Sequence, residues 1–490
     1  MSSPKIHLGP HERLTSIINP NKGPIMKPSL ALVFPLVLLF CGCGPEPVPT
    51  VQEPLPIPEQ AAAVTEIEKL GGKVTLDESG EVIDVRLEGI KITDAELEHL
   101  KGLTSLKALS LKRTQITDAG LEHLKGLSSL NSLWLNDTQI TGAGLENLKG
   151  LTSLNRLYLS GTQITDTGLD HLKDLTSLNL LALSGRNITD AGLEHLKGLT
   201  SLEVLSLASP QITGEGLMHL KGLTTLNLEG SQVTDAGLKH LQGVSSLTTL
   251  TLNDTQITDA GLEHLKALIS LNGLGLAGTK ITDAGLKHLK GMTSLNELSL
   301  AATQITGEGL VHLKGLTVLN LRGSQVTDAG LENLKGLTSL EHLNLGGTQV
   351  TDAGLEHLKD MTSLNELGLG DTKITDAGLE YLKGMASLNE LSLTATQITD
   401  EGLVHLKGWI SLKALNLEDT QITDAGLEHL KGLTSLRDLE LFKTKITDSG
   451  LEHLKGLTSL EYLSLPGSRV TDAGLSDIKA ALPACRVIKK

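Results

Sequence analysis

A histidine recurs along this chain, usually once in about 24 residues, inside a Leu-Glu-His-Leu-Lys motif or a close variant of it. Imidazole binds metals and titrates near neutral pH, so such a column could hold metal ions or respond to acidification. The column includes His99, His123, His171, His195, His219, His264 and His288. Asn147, Asn333 and Tyr381 stand in the same place in other copies of the motif. We interpret the column as an outward-facing polar position of a helix, copied with the motif, and predict no metal site there.

A Thr-Asp pair recurs as well, and a column of carboxylates could in principle bind calcium; examples are Thr165-Asp166, Thr258-Asp259 and Thr375-Asp376. The clustered D-x-D-x-D-G pattern of calcium-binding loops does not occur. We expect these pairs to cap helices instead, through their side-chain oxygens. The sequence also lacks a G-x-S-x-G elbow, a Walker loop and an HExxH motif. It therefore predicts no catalytic residues, no cofactor and no enzyme activity.

Charge and cysteine content restrict the partners further. The 490 residues carry a formal net charge of -15, which repels phosphate backbones and argues against a nucleic-acid partner. The three cysteines are Cys41, Cys43 and Cys485, and no C-x-x-C pair occurs. We expect neither a disulfide framework nor a zinc site, and we interpret Cys485 as a small core residue.

A Leu-x-Leu pair marks each copy of a longer repeat that must position all these residues. Val85 begins the series, and its later members are Leu109, Leu133, Leu157, Leu181, Leu205, Leu226, Leu250, Leu274, Leu298, Leu319, Leu343, Leu367, Leu391, Leu415, Leu439 and Leu463. The 17 units are spaced by 24 residues, except for two spacings of 21. Self-similarity of this period with an L-x-x-L-x-L core resembles the leucine-rich repeat.

The Ile-Thr-Asp segment that follows the Leu-x-Leu pair is similar to the cysteine-containing subclass of leucine-rich repeats, known from F-box proteins. Thr114, Thr138, Thr162 and Thr255 stand where that subclass has Cys or Asn. No F-box-like segment precedes the repeats, so the ubiquitin-ligase role of those relatives is not implied. The resemblance implies an α/β leucine-rich-repeat solenoid, or horseshoe, with a parallel β-sheet on its concave face and helices on its convex face.

Residues 106–129 illustrate how one unit is expected to fold. Leucines alternate inward on a short strand, and the Thr114 hydroxyl bonds backbone of the adjacent coil. Thr117 or Asp118 caps a helix that directs its leucines inward and both Glu122 and His123 outward. No unit can bury its leucine face alone, so the units must stack.

The strand positions that flank each Leu-x-Leu pair point into the hollow and form the predicted ligand-binding surface. Four of the six aromatic residues in the repeats occupy such positions, and aromatic residues and arginine are enriched at binding hot spots. The predicted set consists of an N-terminal group, Trp134, Asn136, Arg156, Tyr158, Leu180 and Val204, and a C-terminal group, Asp438, Glu440, Phe442 and Tyr462.

The first 60 residues indicate export. We interpret residues 1–25 as a mis-called extension or an extended n-region, and residues 26–42 as a signal peptide with the apolar core Leu30–Phe40. Phe40-Cys41-Gly42-Cys43 resembles a bacterial lipoprotein signal, in which Cys43 would be lipidated because the small Gly42 precedes it. Residues 43–60 would form a lipid anchor and a Pro-rich tether. The alternative is an ordinary signal peptide and a soluble secreted or periplasmic protein.

The remaining segments are an N-terminal cap at residues 61–81, the repeat array at residues 82–481 and a C-terminal cap at residues 482–490. The sequence as a whole predicts a membrane-anchored scaffold of the cell envelope that binds a protein, a peptide or a glycan. The alternative is a structural or adhesive spacer without a specific ligand, which the small residues Gly273, Gly275 and Gly368 on the concave face favour.

Overall fold

The computed structural model describes residues 55–489, which fall into two compact units. The first unit runs to Ala182 and the second begins at Leu183. The signal peptide, Cys43 and most of the tether lie outside the described residues. Each unit is a stack of short parallel strands and helices, as the leucine spacing predicts.

The first unit opens with a helix and a hairpin. The helix, Pro58–Lys69, starts with a proline whose fixed φ suits the first helical turn, and it begins two residues before the predicted end of the tether at residue 60. Its Gln60 side chain accepts a hydrogen bond from the Val82 backbone amide at 2.7 Å. This contact ties the helix to the first strand of the array.

Strands of the first unit are antiparallel only in this opening hairpin and parallel from β2 onward. They are β1 (Lys73–Leu76), β2 (Val82–Arg86), β3 (Ala108–Ser110), β4 (Ser132–Trp134), β5 (Arg156–Tyr158) and β6 (Leu180–Ser184), the last of which begins in this unit. Between them lie one-turn to two-turn helices: 3₁₀-helices at Asp94–Leu100, Gly120–Leu124, Ala143–Leu148 and Asp170–Leu172, and an α-helical turn at Asp166–Leu169.

The second unit continues the pattern with parallel strands in unbroken register. They are β7 (Val204–Ala208), β8 (Thr225–Asn227), β9 (Thr249–Thr251), β10 (Gly273–Gly275), β11 (Glu297–Ser299), β12 (Val318–Asn320), β13 (His342–Asn344), β14 (Glu366–Gly368), β15 (Glu390–Ser392), β16 (Ala414–Asn416), β17 (Asp438–Glu440), β18 (Tyr462–Ser464) and β19 (Arg486–Ile488). The final strand, β19, comes from the predicted C-terminal cap.

Most helices of the second unit are equally short, and the longest of those described is the ten-residue helix Asp472–Ala481. The α-helical segments are Asp235–Leu238, Asp259–Leu265, Asp283–Leu286, Asp328–Leu331, Asp352–Leu355, Asp376–Tyr381, Asp424–Leu427, Asp448–Leu451 and Asp472–Ala481. The 3₁₀ segments are Asp190–Gly198, Glu215–His219, Lys239–Gly243, Lys287–Leu289, Glu308–His312, Glu332–Gly336, Glu356–Leu358, Gly402–Leu406 and Glu428–Leu430.

The core of each coil is aliphatic. In the coil that contains β3, the residues that point inward from the strand, the turn and the helix have no exposed surface: Leu106, Leu109, Leu111, Ile116, Leu121 and Leu124. Burial of a leucine contributes about 1.5–3 kcal/mol, so each added coil brings its own share of apolar burial. The predicted inward set is confirmed.

The threonine column closes the turn after each strand, but not in the predicted way. The Thr114 hydroxyl donates to the Leu111 carbonyl of its own coil at 2.6 Å, and Thr255 does the same to Leu252. The prediction of a bond to the adjacent coil was wrong, because the tight turn brings the carbonyl three residues back within reach first.

The aspartate of each Thr-Asp pair carries the contact between coils. Asp235 accepts from the Thr258 amide at 2.8 Å and from the Thr258 hydroxyl at 2.6 Å, across 23 residues of sequence. The capping role predicted for the aspartate was therefore incomplete, since its carboxylate serves the next coil. The threonine is the residue that caps, and Thr258 accepts from the Ala260 amide at 3.3 Å.

Candidate functional site

The 19 described strands belong to one sheet, and we call the side formed in each unit by the strand residues that alternate with the buried leucines the open sheet face. In β4, Leu133 is fully buried on one side, and Trp134 emerges half-buried on the other. Parallel register aligns equivalent positions, so Trp134 lies directly beside Tyr158, and Arg156 lies between Ser132 and Leu180. Neighbouring strands are about 4.8 Å apart, which brings these side chains into contact range.

Five predicted residues of the first unit form what we call the Trp134 patch: Trp134, Asn136, Arg156, Tyr158 and Leu180. The Trp134 and Tyr158 rings stack with their centroids 5.4 Å apart and their planes 8° from parallel. Tyr158 is 4% exposed and forms the floor, whereas Arg156 is exposed and Asn136 and Leu180 are half-buried. Burial raises the pKa of the Tyr158 hydroxyl, and the nearby Arg156 charge opposes this only partly.

Val204, predicted with this group, belongs to β7 of the second unit. It is half-buried and in register with Thr225. Its grouping with the residues of the Trp134 patch stays a prediction.

The predicted C-terminal residues lie together on the open sheet face of the second unit, and we call them the Tyr462 patch: Asp438, Glu440, Phe442 and Tyr462. Asp438 is in register with Tyr462, and all four side chains are half-buried. The Lys443 ammonium lies 4.9 Å from the Phe442 ring centroid, a cation–π distance.

Electrostatics make the Tyr462 patch proton-sensitive. Burial, with the neighbouring charges of Asp438 and Glu418, raises the pKa of Glu440 to about 7. Burial and the Glu440 charge also raise the pKa of Tyr462. The carboxyl of Glu440 is thus poised to ionise near neutral pH, at the centre of a surface that also presents two aromatic rings.

Sequence reasoning missed a polar row farther back on the same face. His342 Nδ1 lies 3.0 Å from Glu366 Oε2 on the adjacent strand, and this hydrogen bond raises the pKa of His342. Glu297 and Glu390 occupy the equivalent first strand position in nearby coils. The sequence could have revealed this row, because His342 directly precedes the buried Leu343 on a strand, whereas the histidine column belongs to the Leu-Glu-His-Leu-Lys motif.

The histidine column is half-buried rather than solvent-exposed, so the predicted outward orientation was wrong for it. The Nδ1 atoms of His123, His171, His405 and His429 are buried without a hydrogen-bond partner. Where asparagine replaces histidine, as at Asn147, its amide donates to the Asp118 carbonyl of the preceding coil at 3.2 Å. The side chain at this position packs against the neighbouring coil. The amphipathic pattern of one helix cannot predict such a contact between coils.

The described residues, 55–489, also bear on metal binding, membrane insertion and thiol chemistry. No cluster of three or more histidine, cysteine, aspartate or glutamate side chains there is arranged to hold a metal ion. Within the same residues, every helix is too short or too polar to cross a bilayer. Cys485 is buried, and burial raises the pKa of its thiol to about 11.

Comparison with protein families gives two matches, both described as leucine-rich repeat. One covers residues 102–125, 150–173, 222–241, 245–266, 312–335, 336–359, 360–383 and 384–406, and the other covers residues 410–470. Together they span about half of the 490 residues. No curated protein matches the chain in sequence.

Solved structures with a similar backbone include an internalin (inlF) of Listeria monocytogenes, at 24% identity over 80% of this chain and 98% of that one, with a TM-score of 0.42. A leucine-rich-repeat protein of Leptospira interrogans is 20% identical over 89% of this chain and 100% of its own, with a TM-score of 0.49. TLR13, solved in complex with ssRNA13, is 20% identical over 79% of this chain and 67% of its own, with a TM-score of 0.50. At these identities the likeness concerns the fold.

Proposed function

We propose that this chain, which belongs to the leucine-rich-repeat family, is a non-catalytic scaffold that binds a protein, peptide or glycan ligand on its open sheet face. Its units resemble the cysteine-containing subclass, with threonine at the cysteine position. The observation that carries the proposal is the Trp134–Tyr158 stack beside the exposed Arg156.

The Trp134 patch is preorganised for binding. Tyr158 is already buried under its neighbours, so little side-chain entropy remains for it to lose when a ligand docks. The half-buried Trp134 ring offers an apolar surface with a polar N–H, and Arg156 offers a planar cation. Tryptophan, tyrosine and arginine are the residues most enriched at binding hot spots.

The ligand's chemistry follows from the charges around it. A net charge of -15 disfavours a phosphate-rich polymer, although TLR13 was solved with a single-stranded RNA. An aromatic platform with a flanking guanidinium suits either a sugar face or an aromatic or acidic peptide side chain. We therefore keep protein, peptide and glycan as the ligand classes and exclude nucleic acid.

We also propose that the protein is exported and held at the cell envelope by lipid on Cys43. The apolar run Leu30–Phe40 and the Gly42-Cys43 pair support this reading. Each buried methylene of an acyl chain contributes about 0.8 kcal/mol, so two or three chains would anchor the protein stably. Residues 44–54 would then act as a proline-rich spacer between the membrane and the repeats.

Capture from the native envelope tests recognition. The wild-type protein is compared with a Trp134→Ala, Arg156→Ala double variant, and bound protein and glycan are both identified. A Tyr381→Ala variant is the matched control, because Tyr381 is exposed on a helix rather than on the open sheet face. We expect the wild type and the control to capture one common ligand and the double variant to lose it.

The spacer reading predicts a different result. Equal capture by all three proteins, or no capture by any, would mean that the open sheet face binds nothing specific. Circular dichroism of the double variant shows whether a loss reflects the surface or the fold.

Anchoring is tested separately with Cys43→Ser and Cys41→Ser variants grown with a clickable fatty acid. We expect label and membrane association to disappear for Cys43→Ser and to persist for Cys41→Ser. A soluble, unlabelled wild type would instead favour the ordinary signal peptide.

A further inference from the structure

Two coils of the second unit are shorter than the rest, and the shortening removes a buried residue. Leu298 and Leu319 are 21 residues apart, whereas regular neighbours are 24 apart. A regular coil places two buried leucines before its strand, as Leu127 and Leu130 do. The short coil has only Leu316 between Gly315 and the strand segment, so one apolar side chain is missing.

The missing side chain leaves a cavity of about 600 Å³. Leu289, Met292 and Val311 supply its apolar wall. Val311 is 56% exposed, whereas Met292 is 5% exposed. These residues come from helix ends and from the turns before strands, so the cavity is distinct from the open sheet face.

The rim of the cavity is cationic because its lysines lack the acidic partner that most coils place three residues earlier. In most regular coils the helix lysine pairs with an acidic residue three positions earlier, as Lys266 does with Glu263 at 3.4 Å. At the cavity the equivalent earlier positions hold Lys287 and Val311. Among residues 55–489, neither Lys290 nor Lys314 forms an ion pair, and both line the cavity.

Two equivalent places 93 residues away show which features are particular to this cavity. The earlier short coil also leaves a cavity, but it is about 280 Å³, and Lys197 at its edge is paired with Glu194 at 2.9 Å. The later coil has regular length, and Trp409, only 4% exposed, fills its interior. Of these two cavities, the larger is therefore the one at which both lysines, Lys290 and Lys314, lack an ion pair within the described residues.

We propose that the cavity at Leu289, Met292 and Val311 binds a small amphiphile, with its apolar chain against these side chains and its carboxylate between Lys290 and Lys314. The volume lies within the range of small-molecule pockets. The unpaired ammonium groups select an anionic head, and the apolar wall selects an aliphatic or aromatic tail.

Methionine methyl NMR tests binding directly, because Met292 lies in the cavity wall and its methyl group responds to a bound ligand. The full chain is labelled with ¹³C-methyl methionine and titrated with sodium decanoate below its micellar concentration. We expect a saturable shift of the Met292 methyl, while the methyls of Met361 and Met385, which do not line the cavity, stay in place. No Met292 shift, or equal shifts at all three methyls, overturns the proposal.

Charge selection is tested with 1-decanol and with a lysine variant. Lys290→Gln with Lys314→Gln should weaken decanoate binding about tenfold and leave decanol binding unchanged. The matched control is Lys383→Gln with Lys407→Gln, the equivalent lysines beside the filled interior under Trp409, and it should bind decanoate like the wild type. Equal weakening by both double variants would contradict the carboxylate position.

A refilled coil tests the cavity itself. Inserting Thr, Ser and Leu after Leu316 restores the regular 24-residue spacing and should abolish the decanoate shift of Met292 while the protein stays folded. Undiminished binding by the folded insertion variant would overturn the proposal.

Discussion

At the scale of single residues, the described coils are joined by carboxylates as well as by leucines. Asp94 bonds Thr117, and Asp235 bonds Thr258, each through one amide and one hydroxyl of the following coil. These hydrogen bonds are part-buried and charge-assisted, and in each pair the carboxylate is the acceptor for the threonine amide. The repeated Thr-Asp pair is therefore a structural column, and this explains why it recurs without forming a calcium site.

Removing one of these carboxylates should loosen one contact between coils. We expect Asp235→Ala to lower the free energy of unfolding by about 1–3 kcal/mol, because the Thr258 amide loses its acceptor in a part-buried position. The exposed Asp360→Ala is the control and should be close to neutral. Hydrogen exchange at the Thr258 amide measures the local effect, and unchanged protection there would contradict the assignment.

Glu440 should make stability depend on pH. Its pKa is raised to about 7, so the folded protein holds a proton that the unfolded chain releases near its ordinary value of 4.5. The contribution of this carboxyl to stability is therefore lost as pH rises from about 4.5 to 7.

Replacing Glu440 with glutamine removes this pH dependence. Compared with the wild type, Glu440→Gln should raise Tm by about 1–2 °C at pH 8, a modest gain because solvent screens the exposed part of the carboxylate. The two proteins should melt together at pH 4, and an exposed Glu122→Gln variant should show no pH-dependent difference. A gain of equal size at both pH values would argue against the raised pKa.

At the scale of elements, the glycine of the Asp-Ala-Gly-Leu segment is needed because the preceding coil occupies its side-chain space. A Cβ on Gly426 would lie 2.3 Å from Asp400 Oδ1, the carboxylate that bonds Thr423. The short helix thus packs on the bond that joins the coils.

This packing predicts opposite outcomes for two glycines of one coil. Gly426→Ala should destabilise the protein by about 1–3 kcal/mol, since the methyl group displaces the Asp400 carboxylate. Gly432→Ala should be neutral, because nothing lies within 4 Å of its added Cβ. Thermal unfolding of the two variants distinguishes them, and equal losses would show that the close approach at Gly426 is unimportant.

The sequence predicted the strands and their buried leucines because the Leu-x-Leu pattern recurs along the array, and a single unit can bury its leucines only by stacking on its neighbours. It did not predict that Asp118 bonds Thr141, because a contact 23 residues away depends on how coils are stacked. It misjudged the orientation of His123 for the same reason. The alternation along the strand placed Trp134 and Tyr158 on one face, but only the structure shows that their rings stack.

At the scale of the whole molecule, each unit presents a different surface from the same repeat. The first unit carries the Trp134 patch with the exposed Arg156. The second unit carries the Tyr462 patch, and farther back the carboxyl groups of Glu297, Glu366 and Glu390. Because the leucines that fix the fold point the other way, these faces can change without loss of the core. We infer that ligand choice resides in the strand positions of the open sheet face.

Site-specific photocrosslinking in cells that produce the protein tests this central claim most directly. A photoreactive amino acid replaces Asn136 on the open sheet face or, as the matched probe, Glu146 on a helix, where the side chain is exposed. The account predicts a defined ligand adduct from position 136 and none from position 146. Adducts of equal yield from both positions, or from position 146 alone, would contradict recognition by the open sheet face.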